Sequence, residues 1–521
     1  MPSEMNRAMS ARMAAMCLVV MGIVYGALAA THWNMGHMDF GDGNYMYISW
    51  RMSQGAALYR DILAPQPPLH LGVGMTLAWL GRLLPHPIYA FRAFSLILHL
   101  ATMIVVYLAA LRVAGGSDAA ARARCRAAGV LTAIVYLLIP IGFWWTLGYQ
   151  SEPLEMFLMM TGFLLFLKMA PRAMAAAGLL QGLAVLTNMT AAPYALFSIG
   201  WLALRRRALF WRFTLPCIGI VAVVSIVMEI RTGAYCENVF LNQVGSFPRP
   251  EFLPAGQTFW GYAWGKLLRE GSDVLRLDGG YILLGLLGLA RFARRGPRLI
   301  REYASFYAFF GLCSILYVAK GGTVDYIFTI GEPFVAVFTG YFLFHFWRKH
   351  IRGMLNGLSW GSLSAAAAAL ALAAAGIVVC GPGLSHSWLT LKQQTYELNE
   401  YETRKIADEI IRNAGNDGLV LSPPHYAFIA QRKIAQDYSE LLLWTLKYHN
   451  ERQDKVRGRG TKTVETIARL LDERKIGFVI LDLAQTGRIP EIAAALNAHY
   501  QPLRGDEYRT LNTRLQFYLP K

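Results

Sequence analysis

Residues 39–69 read DFGDGNYMYISWRMSQGAALYRDILAPQPPL, and they follow the first long apolar run of the chain, Met13 to Ala30. This acidic segment contains three aspartates, two arginines and five aromatic residues. Soluble loops rarely combine acidic and aromatic side chains at this density, and a lipid-facing helix would not carry the charges. An acidic segment beside a membrane-length apolar run therefore indicates a functional site at a membrane surface.

The composition outside this segment is that of a membrane protein. The chain has 521 residues, of which 55% are apolar and only 16% are charged. Its apolar residues fall in blocks of roughly 17–25, the length that crosses a hydrocarbon core of about 30 Å. We predict a mainly α-helical, polytopic transmembrane bundle with about eleven spans, at residues 13–31, 88–111, 127–147, 153–169, 173–190, 192–204, 209–230, 280–293, 303–319, 325–346 and 358–380.

The distribution of arginine predicts how the bundle is oriented. With a cytoplasmic amino terminus, every cytoplasmic connection is basic, as at Arg205–Arg207 and Arg294–Arg295. Much of the net charge of +17 is explained in this way and does not indicate a nucleic-acid partner. The orientation requires that residues 67–84 form a re-entrant or surface helix rather than a span. Two long loops, 32–87 and 231–279, and the carboxyl-terminal tail then lie outside, and the protein is placed in the cell (inner) membrane.

The composition becomes that of a soluble protein near residue 395. We divide the chain into a transmembrane domain, 1–384, and an extracytoplasmic α/β domain, 385–521. Apolar runs and turn residues predict strands at 418–422, 476–482, 500–504 and 514–519, and helices at 396–414, 438–450, 462–474 and 490–498. In the second outer loop, the aromatic and amphipathic run at 258–275 suits a surface helix that either anchors the fold or contacts a lipid substrate.

Asp42 is the main candidate in the acidic segment. It lies between Gly41 and Gly43, which let the backbone turn tightly and bring the carboxylate close to a substrate. The alternative is an Asx-turn, in which the carboxylate only bonds its local backbone. The surrounding acids, Arg60 and the aromatic residues favour the functional interpretation.

Three further groups lie in predicted outer connections or beside them. Glu152 precedes Pro153 at the start of a span, where a carboxylate also caps the helix. Lys320 precedes two glycines, a pattern that binds phosphate but is also an ordinary turn. Glu332 lies slightly inside an apolar block, so it must face a cavity or a partner. Carboxylates with a cation suit a reaction in which a base activates an acceptor while a phosphate leaves.

The acidic segment resembles a pattern of the GT-C class of integral-membrane glycosyltransferases, which includes protein O-mannosyltransferases and lipid A aminoarabinose transferases. The matching elements are Gly41–Tyr45, Gly55, Tyr59–Asp61 and Pro67–Leu69. Glu152–Pro153, Gly182–Thr187 and Tyr326–Pro333 resemble later motifs of the class. Two departures are Gly41, where relatives often carry an acid, and Asn188, where many carry a lysine or arginine.

The resemblance implies a donor sugar carried on a polyprenyl phosphate and a lipid, glycan or protein acceptor. It implies that Asp42 is the catalytic base, with inversion at the anomeric carbon. The further expected roles are positioning of the acceptor or a metal by Asp39 and Glu152, organisation of the loop or donor contact by Tyr45, Arg60 and Asp61, and binding of the donor phosphate by Lys320 and Tyr326. A divalent metal remains an open alternative, and its ligands are unknown.

Two other functions compete with the transferase. A transporter or flippase of a lipid-linked substrate tends to place charges at the midplane and to show internal repeats. A non-catalytic membrane scaffold would use the acids structurally. The concentration of acids at one predicted face favours the transferase.

Overall fold

The computed structural model describes residues 10–31, 40–62, 64–115, 119–139, 148–241, 256–295, 298–314, 316, 325–346, 400–415, 418–435, 464–482, 489–503, 509–510 and 513–521. The α-helices before residue 350 are α1 (Ala11–Thr31), α2 (Phe40–Ser53), α3 (Pro68–Gly81), α4 (Ile88–Ala114), α5 (Ala119–Leu138), α6 (Ser151–Phe166), α7 (Pro171–Thr187), α8 (Ala192–Arg205), α9 (Arg207–Thr232), α10 (Phe259–Arg295), α11 (Arg298–Leu312) and α12 (Glu332–Phe346). Short 3₁₀ segments, Met189–Ala191 and Asp325–Ile330, and a π-helical turn, Cys236–Leu241, lie between them.

These helices follow the predicted apolar blocks. Within the described residues, α1, α4 and α9 are long and apolar enough to cross a membrane by themselves. The remaining apolar helices pack with α4 around one large hydrophobic core. The predicted span at 358–380 lies outside the described residues, as does the proposed domain boundary at 384/385.

Close backbone contacts hold α7 against α9. A Cβ atom at Gly178 would collide with the carbonyl of Phe213, and one at Gly182 would collide with the carbonyl of Cys217. Glycines four residues apart on one helix face let two helices approach closely in lipid, where apolar burial alone provides little drive for association. The glycine at 182 in the Gly182–Thr187 motif thus has a packing role.

Both long outer loops of the prediction, 32–87 and 231–279, contain helices. The expected tight turn around Asp42 is instead the first turn of α2, and α3 corresponds to the predicted re-entrant or surface helix. The amphipathic run at 258–275 is not a separate surface helix, because α10 continues from it into the predicted span at 280–293. With 37 residues, α10 is about 55 Å long, well above the ~30 Å of a hydrocarbon core.

The carboxyl-terminal part is a small mixed α/β unit. It contains α13 (Glu400–Ala414), β1 (Leu419–Leu421), α14 (Pro424–Ile429), α15 (Val464–Asp472), β2 (Ile476–Asp482), α16 (Pro490–His499), β3 (Tyr500–Pro502), β4 (Arg509–Thr510) and β5 (Thr513–Pro520). The strand order is β1-β2-β5-β3, with β4 also paired to β5; β1 and β2 are parallel and the other pairs are antiparallel. The predicted helix at 438–450 lies outside the described residues.

This unit has its own core and also shares one with the acidic segment. Its own core includes Ile467, Leu471 and Val479. A second cluster of buried side chains combines Phe428 and Phe478 with residues of α2, α3 and α4. The carboxyl-terminal unit therefore packs directly on the helices that follow α1.

Candidate active site

The structure fixes both carboxylate oxygens of Asp42. Its Oδ2 accepts a hydrogen bond from Nη2 of Arg92 at 2.6 Å, and its Oδ1 accepts one from the backbone N–H of Tyr149 at 2.6 Å. The Asp42 side chain is 1% exposed and that of Arg92 is 4% exposed. A buried carboxylate beside a guanidinium is held in its charged form, because neutralising either partner would leave the other charge unpaired.

The connection before α6 brings the Tyr149 amide to this carboxylate. The Tyr149 hydroxyl donates to the carbonyl of His70 at 2.7 Å, and its ring stacks on the His70 ring at a centroid distance of 4.2 Å. A Cβ atom at Gly74, one turn along α3 from His70, would collide with Ser49 and the Tyr149 hydroxyl. Contacts from α2 and α3 therefore fix the residue whose N–H bonds Asp42.

His70 is itself buried in this packing. Burial lowers the pKa of its ring from 6.5 to about 3, and neither ring nitrogen has a hydrogen-bond partner within the described part of the chain. The folded protein keeps the ring neutral, whereas the unfolded chain binds a proton below pH ~6.5. The stability contribution of this residue is therefore complete above pH ~6.5 and is lost as the pH falls toward 3, by up to about 1.4 kcal/mol per pH unit.

The motif Tyr59–Asp61 organises its own loop. Tyr59 adopts a positive φ of 68°, and its hydroxyl donates to the Gln66 carbonyl at 2.7 Å. Asp61 accepts from the Ala57 amide at 2.8 Å and from Arg60 Nε at 2.9 Å. The hydrogen bond from Arg60 lowers the pKa of Asp61. The side chains of Arg60 and Asp61 are 53% and 40% exposed, so they remain accessible to a ligand.

Tyr45 lies on the buried side of α2. Its ring meets the His70 ring edge-on at 5.1 Å, so it packs against the group that positions Tyr149. Asp39 and Lys320 lie outside the described residues, and only the backbone of Tyr326 is described, in a 3₁₀ segment.

Glu152 belongs to a second buried polar group at the start of α6. Its Oε1 accepts from the Asn188 side chain at 3.4 Å, and Asn188 also donates to Ser151 Oγ at 3.2 Å. One turn further along, the fully buried Glu155 accepts from the Thr190 hydroxyl at 2.6 Å. Asn188, the residue that departs from the family pattern, thus bonds the second predicted acid.

Sequence reasoning missed Arg92 and Glu155. Each is a charged residue inside a predicted span, at 88–111 and 153–169, and such residues face the protein interior and pair with a partner. The sequence could therefore have indicated both residues as buried and partnered. It could not have identified the partner of Arg92, which is 50 positions away. Glu332 is likewise buried at the start of α12, as its place in an apolar block predicted.

The described residues contain no group of three or more His, Cys, Asp or Glu side chains that could hold a metal ion. Glu152 and Glu155 supply two carboxylates, fewer than the three or more protein ligands of a typical closed site. Among the described acids, Asp42 is a carboxylate whose position is fixed by hydrogen bonds to both of its oxygens.

Comparison with known proteins identifies the fold. No protein-family model and no curated protein matches the chain. Among solved structures, ArnT from Cupriavidus metallidurans bound to undecaprenyl phosphate matches with a TM-score of 0.60 at 14% identity, over 95% of this chain and 97% of that one. The apo state of that protein matches with a TM-score of 0.54 over the same shares.

An oligosaccharyltransferase from Archaeoglobus fulgidus, tethered to an acceptor peptide, matches with a TM-score of 0.52 at 13% identity. The match covers 97% of this chain and 76% of that one. The chain therefore shares the fold of ArnT and of this oligosaccharyltransferase, as the resemblance predicted, and the predicted mainly α-helical polytopic fold class is confirmed.

Proposed function

We propose that this protein is an integral-membrane glycosyltransferase that moves a sugar from a polyprenyl-phosphate donor to an acceptor on the extracytoplasmic side of the cell (inner) membrane. The observation that carries the proposal is the Asp42 carboxylate, buried and held by Arg92 and the Tyr149 amide in a chain with the GT-C fold. The undecaprenyl phosphate bound in the matching ArnT structure supports the donor class.

Asp42 acts as the general base in this proposal. As the acceptor oxygen or nitrogen attacks the anomeric carbon, its proton passes to the Asp42 carboxylate and the bond between that carbon and the phosphate oxygen breaks. A positioned base contributes about 10²–10⁴-fold to such a step. Attack opposite to the leaving phosphate inverts the anomeric configuration.

Arg92 and Tyr149 keep the base ionised and oriented. Two hydrogen bonds of 2.6 Å leave the carboxylate little rotational freedom, so its position relative to the acceptor is set before the substrates bind. Because Asp42 is almost fully buried in this state, binding of the acceptor has to open a path to it.

The remaining assignments are part of the same proposal. The acceptor or a metal is positioned by Asp39 and Glu152. The loop is organised, or the donor contacted, by Tyr45, Arg60 and Asp61, and the donor phosphate is bound by Lys320 and Tyr326. The amino terminus is cytoplasmic, and residues 385–521 form an extracytoplasmic domain.

The test is the lipid pool of cells that lack the protein. We expect a polyprenyl-phosphate sugar to accumulate in their membranes, detected by mass spectrometry, and the wild-type chain to remove it. Asp42→Asn should reach the membrane in normal amounts and leave the lipid accumulated. Removal of the lipid by Asp42→Asn would refute the assignment of the base, and absence of any accumulated lipid-linked sugar would refute the donor class.

A further inference from the structure

The six-residue helix α14, Pro424–Ile429, packs on two residues beside the Asp42 ion pair. These are Gly43, which follows Asp42, and Phe91, which precedes Arg92. We propose that α14 is a positioning element of the active site, and that its close packing on Gly43 holds the first turn of α2, which carries Asp42. For its activity measurement this inference rests on the proposed function.

The first contact lies beside the base itself. A Cβ atom added at Gly43 would lie 2.5 Å from the Cβ atom of His425 and 3.2 Å from its Cα atom. Non-bonded carbon atoms do not approach this closely without a shift of one backbone. Only a glycine at position 43 therefore lets α14 lie against the first turn of α2, next to Asp42.

The second contact lies beside the two groups that bond Asp42. Phe428 of α14 meets Phe91 edge-on at a centroid distance of 5.8 Å, and Phe91 meets Tyr149 at 4.7 Å. Phe91 directly precedes Arg92 in α4. Phe428 therefore contacts a residue that is adjacent to Arg92 in sequence and packs on the ring of Tyr149.

A hydrogen bond fixes the chain just after α14. The backbone N–H of Ile434 donates to the Tyr47 hydroxyl at 2.9 Å, and Tyr47 is one helical turn beyond Gly43 in α2. One cluster of buried side chains contains Phe428, Ile434, Tyr47, Phe91 and Tyr149. If α14 no longer packed on α2 and α4, these two helices would be free to shift. A displacement of about 1 Å at a reacting group can lower the rate by on the order of 10²-fold.

The experiment compares Gly43→Ala with the double variant Gly43→Ala/His425→Gly in the full-length protein. The double variant removes the His425 Cβ atom at 2.5 Å and leaves the Cα atom at 3.2 Å, a contact that a shift of a few tenths of an ångström relieves, so it should restore most of the docking. Hydrogen exchange measured by mass spectrometry reports docking through peptides that cover α2 and residues 424–435. Activity is the release of polyprenyl phosphate from the lipid fraction that accumulates in cells lacking the protein, with membranes of those cells added as the source of acceptor.

We expect Gly43→Ala to speed exchange in both segments and to lower the rate at saturating donor by on the order of 10²-fold, with an unchanged half-saturating donor concentration. The double variant should recover slow exchange and most of the rate. A control variant, Ile467→Val, removes one methyl group from the separate core of the carboxyl-terminal unit. It should change neither the exchange of α2 nor the rate of polyprenyl phosphate release. The matched variant on the docking face, Phe428→Leu, should behave like Gly43→Ala to a smaller degree.

Two results would overturn the inference: Gly43→Ala with wild-type exchange in α2, or a double variant no more protected and no more active than the single one. If the wild-type protein itself releases no polyprenyl phosphate, the proposed function fails. The exchange measurements then still decide whether α14 holds the helix that carries Asp42.

Discussion

The buried ion pair between Arg92 and Asp42 makes a quantitative prediction about stability. Arg92→Met keeps an unbranched apolar stem but removes the guanidinium from the buried carboxylate, while the Tyr149 amide at 2.6 Å still donates to it. Removing one partner of a buried pair costs about 3–5 kcal/mol, because the other charge stays buried and uncompensated. The remaining amide hydrogen bond places the expected cost near the lower limit, about 3 kcal/mol.

The assay is unfolding of the purified protein in detergent, followed for a double-mutant cycle. Asp42→Asn/Arg92→Met removes both charges, and the asparagine still accepts the Tyr149 N–H, so the double variant should be more stable than Arg92→Met alone. Transfer activity should remain absent from the double variant, which separates the structural role of the pair from the catalytic role of the carboxylate.

A control comes from the solvent-exposed pair of Arg60 and Asp61, where Arg60→Met should leave the unfolding transition unchanged. The reasoning about the buried pair would be refuted by a cost below about 1 kcal/mol for Arg92→Met. It would equally be refuted by a double variant as unstable as the single one.

Two further predictions concern pH and topology. Because the His70 pKa is lowered to about 3, the wild-type protein should lose stability between pH 7 and pH 5, and His70→Phe, which keeps the ring stack on Tyr149, should lose less over the same interval. Equal losses would contradict the burial of a neutral ring. In a chain without its natural cysteines, Lys433→Cys should be labelled from outside intact cells and Arg206→Cys only after lysis; the reverse pattern would overturn the orientation. Lys433 is exposed, so a cysteine at this position is accessible to the label.

Much of the helical architecture could be predicted because apolar runs of membrane length have few alternatives. The bounds of α4, α8 and β2 lie within a few residues of the predicted ones. The glycines around Asp42 predicted a turn, but α2 begins before them, because its aromatic face is buried against α3 and the carboxyl-terminal unit. Tertiary packing of this kind overrides the low helix propensity of glycine, about 1 kcal/mol per residue.

The continuous helix α10 likewise departs from what its local sequence predicted. The sequence predicted an outer loop up to residue 279 and a span from residue 280, yet one helix continues through Gly279 and Gly280 into the span. In the site, Asp42 and Glu152 could be singled out because an acid beside a span is unusual. Their partners Arg92 and Asn188 could not be assigned, since which helices meet depends on packing that local patterns do not encode.

The most direct measurement of the central proposal is transfer by the purified protein. The wild-type chain in lipid vesicles is mixed with the lipid fraction from cells that lack it and with membranes of those cells as the source of acceptor, and released polyprenyl phosphate is quantified. The account predicts release by the wild-type protein and a loss of about 10²-fold or more in Asp42→Asn. Release by Asp42→Asn at the wild-type rate, from a protein that is equally folded, would contradict it.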